Sequence, residues 1–195
     1  MYLEECSDDF NKIRRLLIPR NPNADNEILL ILKSKVEDNS LSDLLMEQPN
    51  YENNLLYRIA NGLYINSFIY IINNWPEALN KLNIKNKGGL TPLHITAMFN
   101  GYNVLKFILT NYKDHFPIDT IDGQGNTILH TNIYYIGSIE TIELLLQCGA
   151  SLNIKNKFGH TPLDVAIERS HARPFNMQAI ANRDFLLNYQ DLPPF

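Results

Sequence analysis

Cysteine is scarce in this chain. Of 195 residues only Cys6 and Cys148 are cysteines, far apart and without metal-ligand spacing. That pattern speaks for a reduced, intracellular setting. Neither thiol is placed to be a nucleophile. Cys148 precedes Gly149 at the end of an expected helix, where the dipole disfavours a thiolate, and Cys6 sits among Glu4, Glu5, Asp8 and Asp9. Positive charge is not in excess either. A net charge of -4 and a pI near 5.7 argue against a general nucleic-acid binder. Long apolar runs are missing: residues 28–32 and 68–72 are too short to span a bilayer. The first residues, Met1-Tyr2-Leu3-Glu4-Glu5, lack the basic region and apolar run of a secretory signal.

Catalytic constellations are missing as well. No nucleophile, base and oxyanion donor fall into a pattern. The glycines at Gly88-Gly89, Gly125 and Gly159 lack the spacing and lysine of a nucleotide loop. They read as turn glycines with positive φ.

What is present is a folded composition, 45% hydrophobic with mixed charges, of a length for one domain or one array of repeats. Asparagine, isoleucine, lysine and tyrosine are plentiful, as translation from an AT-rich genome would produce. The organising stretch is Gly89-Leu90-Thr91-Pro92-Leu93-His94-Ile95-Thr96-Ala97. Thr91 can cap a helix, and Pro92 suits the first helical position because it has no amide to leave unpaired. Gly125-Asn126-Thr127-Ile128-Leu129-His130 and Gly159-His160-Thr161-Pro162-Leu163-Asp164 repeat that order. Asn54-Leu55-Leu56-Tyr57-Arg58-Ile59-Ala60 is a worn copy. Positions 54, 91, 127 and 161 are 37, 36 and 34 residues apart. A second apolar run follows each start, so each unit is two short helices joined by a tight turn, at Asn100-Gly101 and Ile136-Gly137 in the middle units. No unit buries its apolar face alone, so neighbours must stack.

These residues, together with Leu144-Leu145-Leu146-Gln147-Cys148-Gly149-Ala150-Ser151-Leu152-Asn153, resemble the ankyrin repeat, whose period is about 33 residues. The resemblance covers roughly residues 49–189. The extra lengths fall in the connectors through Trp75-Pro76 and His115-Phe116-Pro117, around Tyr134-Tyr135-Ile136, and in a lengthened turn over residues 170–176. The expected architecture is an all-α ankyrin solenoid. Residues 1–48 form an N-terminal helical cap, with helices over 7–18, 25–36 and 40–47. Residues 49–85 are a degenerate first repeat, 86–121 the second and 122–155 the third. Residues 156–189 are the fourth repeat and C-terminal cap. The tail, residues 190–195, holds two prolines and is not helical. It is a frayed end or a short binding peptide.

His94 and His130 stand at corresponding positions, with Asp164 in the last unit and Tyr57 in the first. A stacked array holds the two histidines one repeat apart, each bonding loop backbone at a repeat junction rather than forming a metal or catalytic pair. The resemblance implies a concave recognition surface made of turn tips and the exposed side of the first helices. Carried over unit by unit, it comprises Lys87, Gly88, Leu90, Met98 and Phe99; Gly123, Gln124, Asn126, Tyr134 and Tyr135; and Lys157, Phe158, His160, Glu168 and Arg169. Tyr51 and Asn53 extend it. Met98, Phe99, Tyr134, Tyr135 and Phe158 form either an exposed strip for a partner or, if the extra residue near Tyr134 rotates them inward, part of the core. The connectors Asn83-Ile84-Lys85-Asn86-Lys87 and Asn153-Ile154-Lys155-Asn156-Lys157 are identical. They are ordinary surface turns or two basic rims that steer an acidic partner.

The function expected from this reading is non-catalytic protein–protein recognition in the cytoplasm. No cofactor, metal, small-molecule substrate, nucleic acid or membrane is called for. The asparagine-rich composition adds the expectation of a secreted effector or host-interaction factor acting in host cytoplasm. An inhibitor or regulatory subunit of an enzyme is the alternative. An enzyme with an unusual site near His115 or His171 is a further one.

Overall fold

The computed structural model describes residues 7–17, 24–37, 39–46, 55–59, 64–135 and 137–190. The expectations placed on Cys6, Tyr51, Asn53, Asn54, Ile136, the Tyr57 side chain and the tail beyond residue 190 lie outside the described residues. The described secondary structure is helical, apart from one isolated bridge between Ile121 and Thr127.

Three helices come first: α1 (Asp8–Leu16), α2 (Asp25–Glu37) and α3 (Leu41–Met46). Ser7 caps α1 through the Phe10 amide, and Phe10, Ile13 and Leu17 are buried on its inner face. Four helix pairs follow, α4 (Leu55–Ile59) with α5 (Ile65–Asn74), α7 (Pro92–Met98) with α8 (Tyr102–Asn111), α9 (Ile128–Tyr135) with α10 (Ile139–Gln147), and α11 (Pro162–Ala172) with α12 (Met177–Gln190). The short helix α6 (Ala78–Lys81) fills the lengthened connector after Trp75, and a 3₁₀ turn at Lys113–His115 fills the next one. Both insertions hold a side chain down on the core, Leu79 and Phe116.

The pairs stack in two layers. Helices α4, α7, α9 and α11 pack in series as the inner layer. Helices α2, α5, α8, α10 and α12 make the outer one. The core runs between the layers: Leu93 and Ala97 meet Val104, Leu105 and Ile108, and Leu129 and Ile133 meet Ile142 and Leu145 within one buried cluster. The N-terminal helices are tied to this stack by a buried acid. Asp25 accepts the amides of Asn66 (3.1 Å) and Ser67 (2.9 Å), and the Ser67 hydroxyl bonds the same carboxylate. A residue of α2 thus satisfies donors at the start of α5 that the helix itself cannot.

Two expectations are corrected. The turn in the last unit does not begin at residue 170. Ser170, His171 and Ala172 belong to α11, which ends where the Arg173 amide bonds Arg169 carbonyl, so the turn is four residues, 173–176. In the Gly88-Gly89 pair only Gly89 has positive φ, and at Asn100-Gly101 the left-handed residue is Asn100.

Consecutive turn tips are stitched through the backbone. The Gly123 amide donates to Gly88 carbonyl and the Lys157 amide to Gln124 carbonyl, both at 2.9 Å. A methyl group at Gly89 would lie 2.3 Å from the Gly123 nitrogen, whereas one at Gly159, at the end of the series, would meet nothing within 4 Å. Both glycines hold positive φ, +75° and +82°. Gly159→Ala should therefore cost only the left-handed strain, about 1–2 kcal/mol. Gly89→Ala adds the loss of the tip contact and should unfold in urea at a clearly lower midpoint. Equal midpoints for the two variants would show that the stitching contributes nothing to stability.

Candidate partner-binding groove

The inner helices α7, α9 and α11 begin in the same way. Thr91 caps α7, and its hydroxyl accepts the His94 amide (3.4 Å), while its own amide donates to His94 Nδ1 (3.3 Å). Because Nδ1 accepts, the proton is assigned to Nε2, which donates to Asn126 carbonyl in the next tip (3.2 Å). Thr127 and His130 repeat the arrangement, with Nε2 donating to His160 carbonyl at 3.0 Å. In the last described unit an acid takes the histidine's place. There Asp164 closes the box alone, accepting the Thr161 amide at 2.8 Å and hydroxyl at 2.7 Å, and these bonds hold its pKa below the usual value. His94 and His130 are thus frame residues, each spanning a repeat junction.

The tips are built by a position that the sequence reading passed over. Asn86, Asp122 and Asn156 lie five residues before the three threonines. Each turns its side-chain oxygen back on its own loop: Asn86 to the amides of Gly88 and Leu90, Asp122 to Gln124 and Asn126, Asn156 to Phe158 and His160, at 2.8–3.0 Å. Their recurrence at a fixed offset was the signal available in the sequence.

Between the tips and the inner helices lies a groove of about 510 Å³. Of the expected surface residues, Gly88, Leu90, Met98, Gln124, Asn126, Tyr134, Tyr135, Phe158, His160 and Glu168 line it. Tyr134 and Tyr135 are each 50% exposed and Phe158 is 68% exposed, so the extra residue near Tyr134 has not turned these rings into the core. Tyr134 and Tyr135 meet edge to face at 5.1 Å. Phe99 is exposed at the end of α7 but does not line the groove, because it stands at the helix C-cap, past Met98. Lys87, Lys157 and Arg169 also stand outside the lining. The Lys157 ammonium donates to Gly123 carbonyl at 2.7 Å, and the Arg169 guanidinium lies 4.6 Å from the Tyr134 ring centre. The structure adds Asp122, Thr131, Asn156 and Val165 to the lining.

The ankyrin repeat profile, in three copies, matches residues 6–156. The chain belongs to the ankyrin repeat family. Among curated proteins it is 30% identical over 145 residues to an ankyrin repeat protein of fowlpox virus, covering 72% of this chain and 36% of the relative. It is 23% identical over 167 residues to the nuclear factor NF-kappa-B p105 subunit of Gallus gallus, covering 81% and 17%. It is 33% identical over 89 residues to the inhibitor of Bruton tyrosine kinase of Xenopus laevis, covering 46% and 6%. The ankyrin chain thus spans at most about a third of the length of these relatives. No helix among the described residues is long and apolar enough to cross a membrane. Cys148 is half-buried, and burial raises its pKa against the weaker pull of Lys113, so it remains a thiol.

Two predictions follow from the frame of these ankyrin units. Burial lowers the pKa of His94 and of His130, outweighing the carbonyl bonds and nearby carboxylates that raise it. The unfolded chain then binds more protons than the folded one below the ordinary histidine pKa near 6.5. Stability is full above that pH and falls as pH drops through it, by at most about 1.4 kcal/mol per pH unit for each histidine. Urea melts between pH 7.5 and 5 should show the fall, and His130→Asn should flatten it; an unchanged slope in that variant would rule the histidine out. Separately, the Thr131 hydroxyl is buried and has no hydrogen-bond partner, while Ile95 and Val165 occupy its position in the flanking units. Thr131→Val should raise stability by about 1 kcal/mol. A loss on melting would mean that the hydroxyl is satisfied in solution.

Proposed function

We propose that this chain, built of repeats that serve as protein–protein interaction modules, is a non-catalytic recognition module and that its concave groove holds a segment of a partner protein. One observation carries the reading: Tyr134, Tyr135 and Phe158 gather half to two-thirds exposed in one groove with Leu90 and Met98, while the core closes without them. Exposed rings of this kind contribute contact area at low entropic cost, and rigid stacked helices lose little freedom on binding. The histidines beside the threonines are engaged in the frame. His115 and His171 are exposed; the His115 carbonyl accepts Asn83 Nδ2, and its ring rests against Tyr112 and Phe116.

We extend the proposal to a host-interaction factor acting in host cytoplasm, a reading to which the comparisons add only that one relative is viral. The relative described as a kinase inhibitor supports the second reading, in which the groove or its rim blocks a partner enzyme. The two separate on whether the captured partner loses activity in a one-to-one complex.

Affinity capture with the Tyr135→Ala/Phe158→Ala variant beside the unaltered chain tests the groove. A partner should be retained by the unaltered chain and lost from the variant, whose melting should fall by less than about 1 kcal/mol because both rings are largely exposed. Retention of the same partner by both proteins would place recognition elsewhere on the array.

A further inference from the structure

The groove is acidic inside. Asp122 and Glu168 line it, and no lysine or arginine is among its described lining residues. The net charge of the chain, -4, has the same sign. The lysines at the tips, from which an acidic partner was expected, stand outside the lining, and Lys157 turns its ammonium onto Gly123 carbonyl. An acidic segment entering the groove would meet carboxylates.

The rings beside those carboxylates are complementary to a cation. Aromatic faces attract a guanidinium or ammonium, and within this protein one already rests there: Arg169 against Tyr134 at 4.6 Å. Such a side chain has an apolar stem that rings can cover, and Leu90 and Met98, half-buried in the same lining, add apolar surface for the rest of the segment. Of the two carboxylates, Asp122 is committed to its turn, since one oxygen accepts two amides and the other the Asn126 side chain. Glu168 is held only by His160 Nδ1 at 3.3 Å, with its side chain 65% exposed.

We propose that the groove seats an arginine or lysine side chain of the partner segment, with its charge on Glu168 and its stem and head group against Tyr135 and Phe158. The proposal rests on the concave face being the recognition surface and names what that surface recognises.

The test is an NMR titration of the full chain with three blocked peptides, acetyl-Gly-Ser-X-Ser-Gly-amide, where X is arginine, citrulline or glutamate. Citrulline keeps the shape of arginine and removes its charge. The arginine peptide should shift the amides of Tyr135, Phe158 and Glu168 saturably, and the other two should bind about tenfold more weakly. Glu168→Gln, an exposed change that leaves the fold intact, should weaken the arginine peptide about tenfold. Arg169→Ala removes the internal cation from Tyr134 and should tighten binding. Equal shifts from all three peptides, preference for glutamate, weakening by Arg169→Ala, or no saturable shift with arginine would each overturn the proposal. Loss of partner capture by the Tyr135/Phe158 variant together with any of these results would leave the concave face standing and remove only the basic side chain.

Discussion

The structure depends on a buried imidazole reaching from one repeat to the next. A helix start leaves amides unpaired, and a turn tip leaves carbonyls unpaired; both would be costly inside a stack. His94 and His130 settle the two debts together, taking the threonine amide at Nδ1 and the next tip's carbonyl at Nε2. The bond to the following tip, with the packing of the inner helices, helps to set how far apart neighbouring units stand. In the last described unit Asp164 performs the capping half of the task alone.

That spacing builds the groove. The imidazole bonds and the backbone stitches between tips hold α7, α9 and α11 in a row, so the residues at the ends of these helices and on the tips converge. Tyr134 and Tyr135 follow the buried part of α9, Phe158 sits on the next tip, and the stack brings them together from neighbouring units. The frame repeats one geometry at the junctions that His94 and His130 span, whereas the groove uses whatever side chains each unit happens to place there. Recognition can therefore vary while the stack does not.

Much of the fold was legible before any coordinate. The threonine caps, the proline at the first helical position, the paired apolar runs and the junction role of the histidines all rest on local rules, and the structure reproduces each of them. The misplaced features lay at helix ends or depended on contacts between distant segments. Ser170 to Ala172 read as turn because the extra length of the last unit was placed there, yet α11 continues through them, with the Ser170 hydroxyl bonding Ile167 carbonyl. Phe99 read as part of the aromatic strip by its neighbour Met98, but one further residue around a helix end points it away from the groove. Asp25 gave no local sign that it would cap a helix 41 residues away.

From its own order of residues this chain determines its repeat, its layers and the chemistry of each helix start, because those follow from spacing and capping within a few residues. Only the tertiary structure decided the character of the groove. Lysine-bearing connectors dominate the sequence near it, but the stack turns them outward and brings Asp122 and Glu168 from different units to one lining. The sign of a surface is a sum over neighbours in space, and neighbours in space are set by the bonds between repeats.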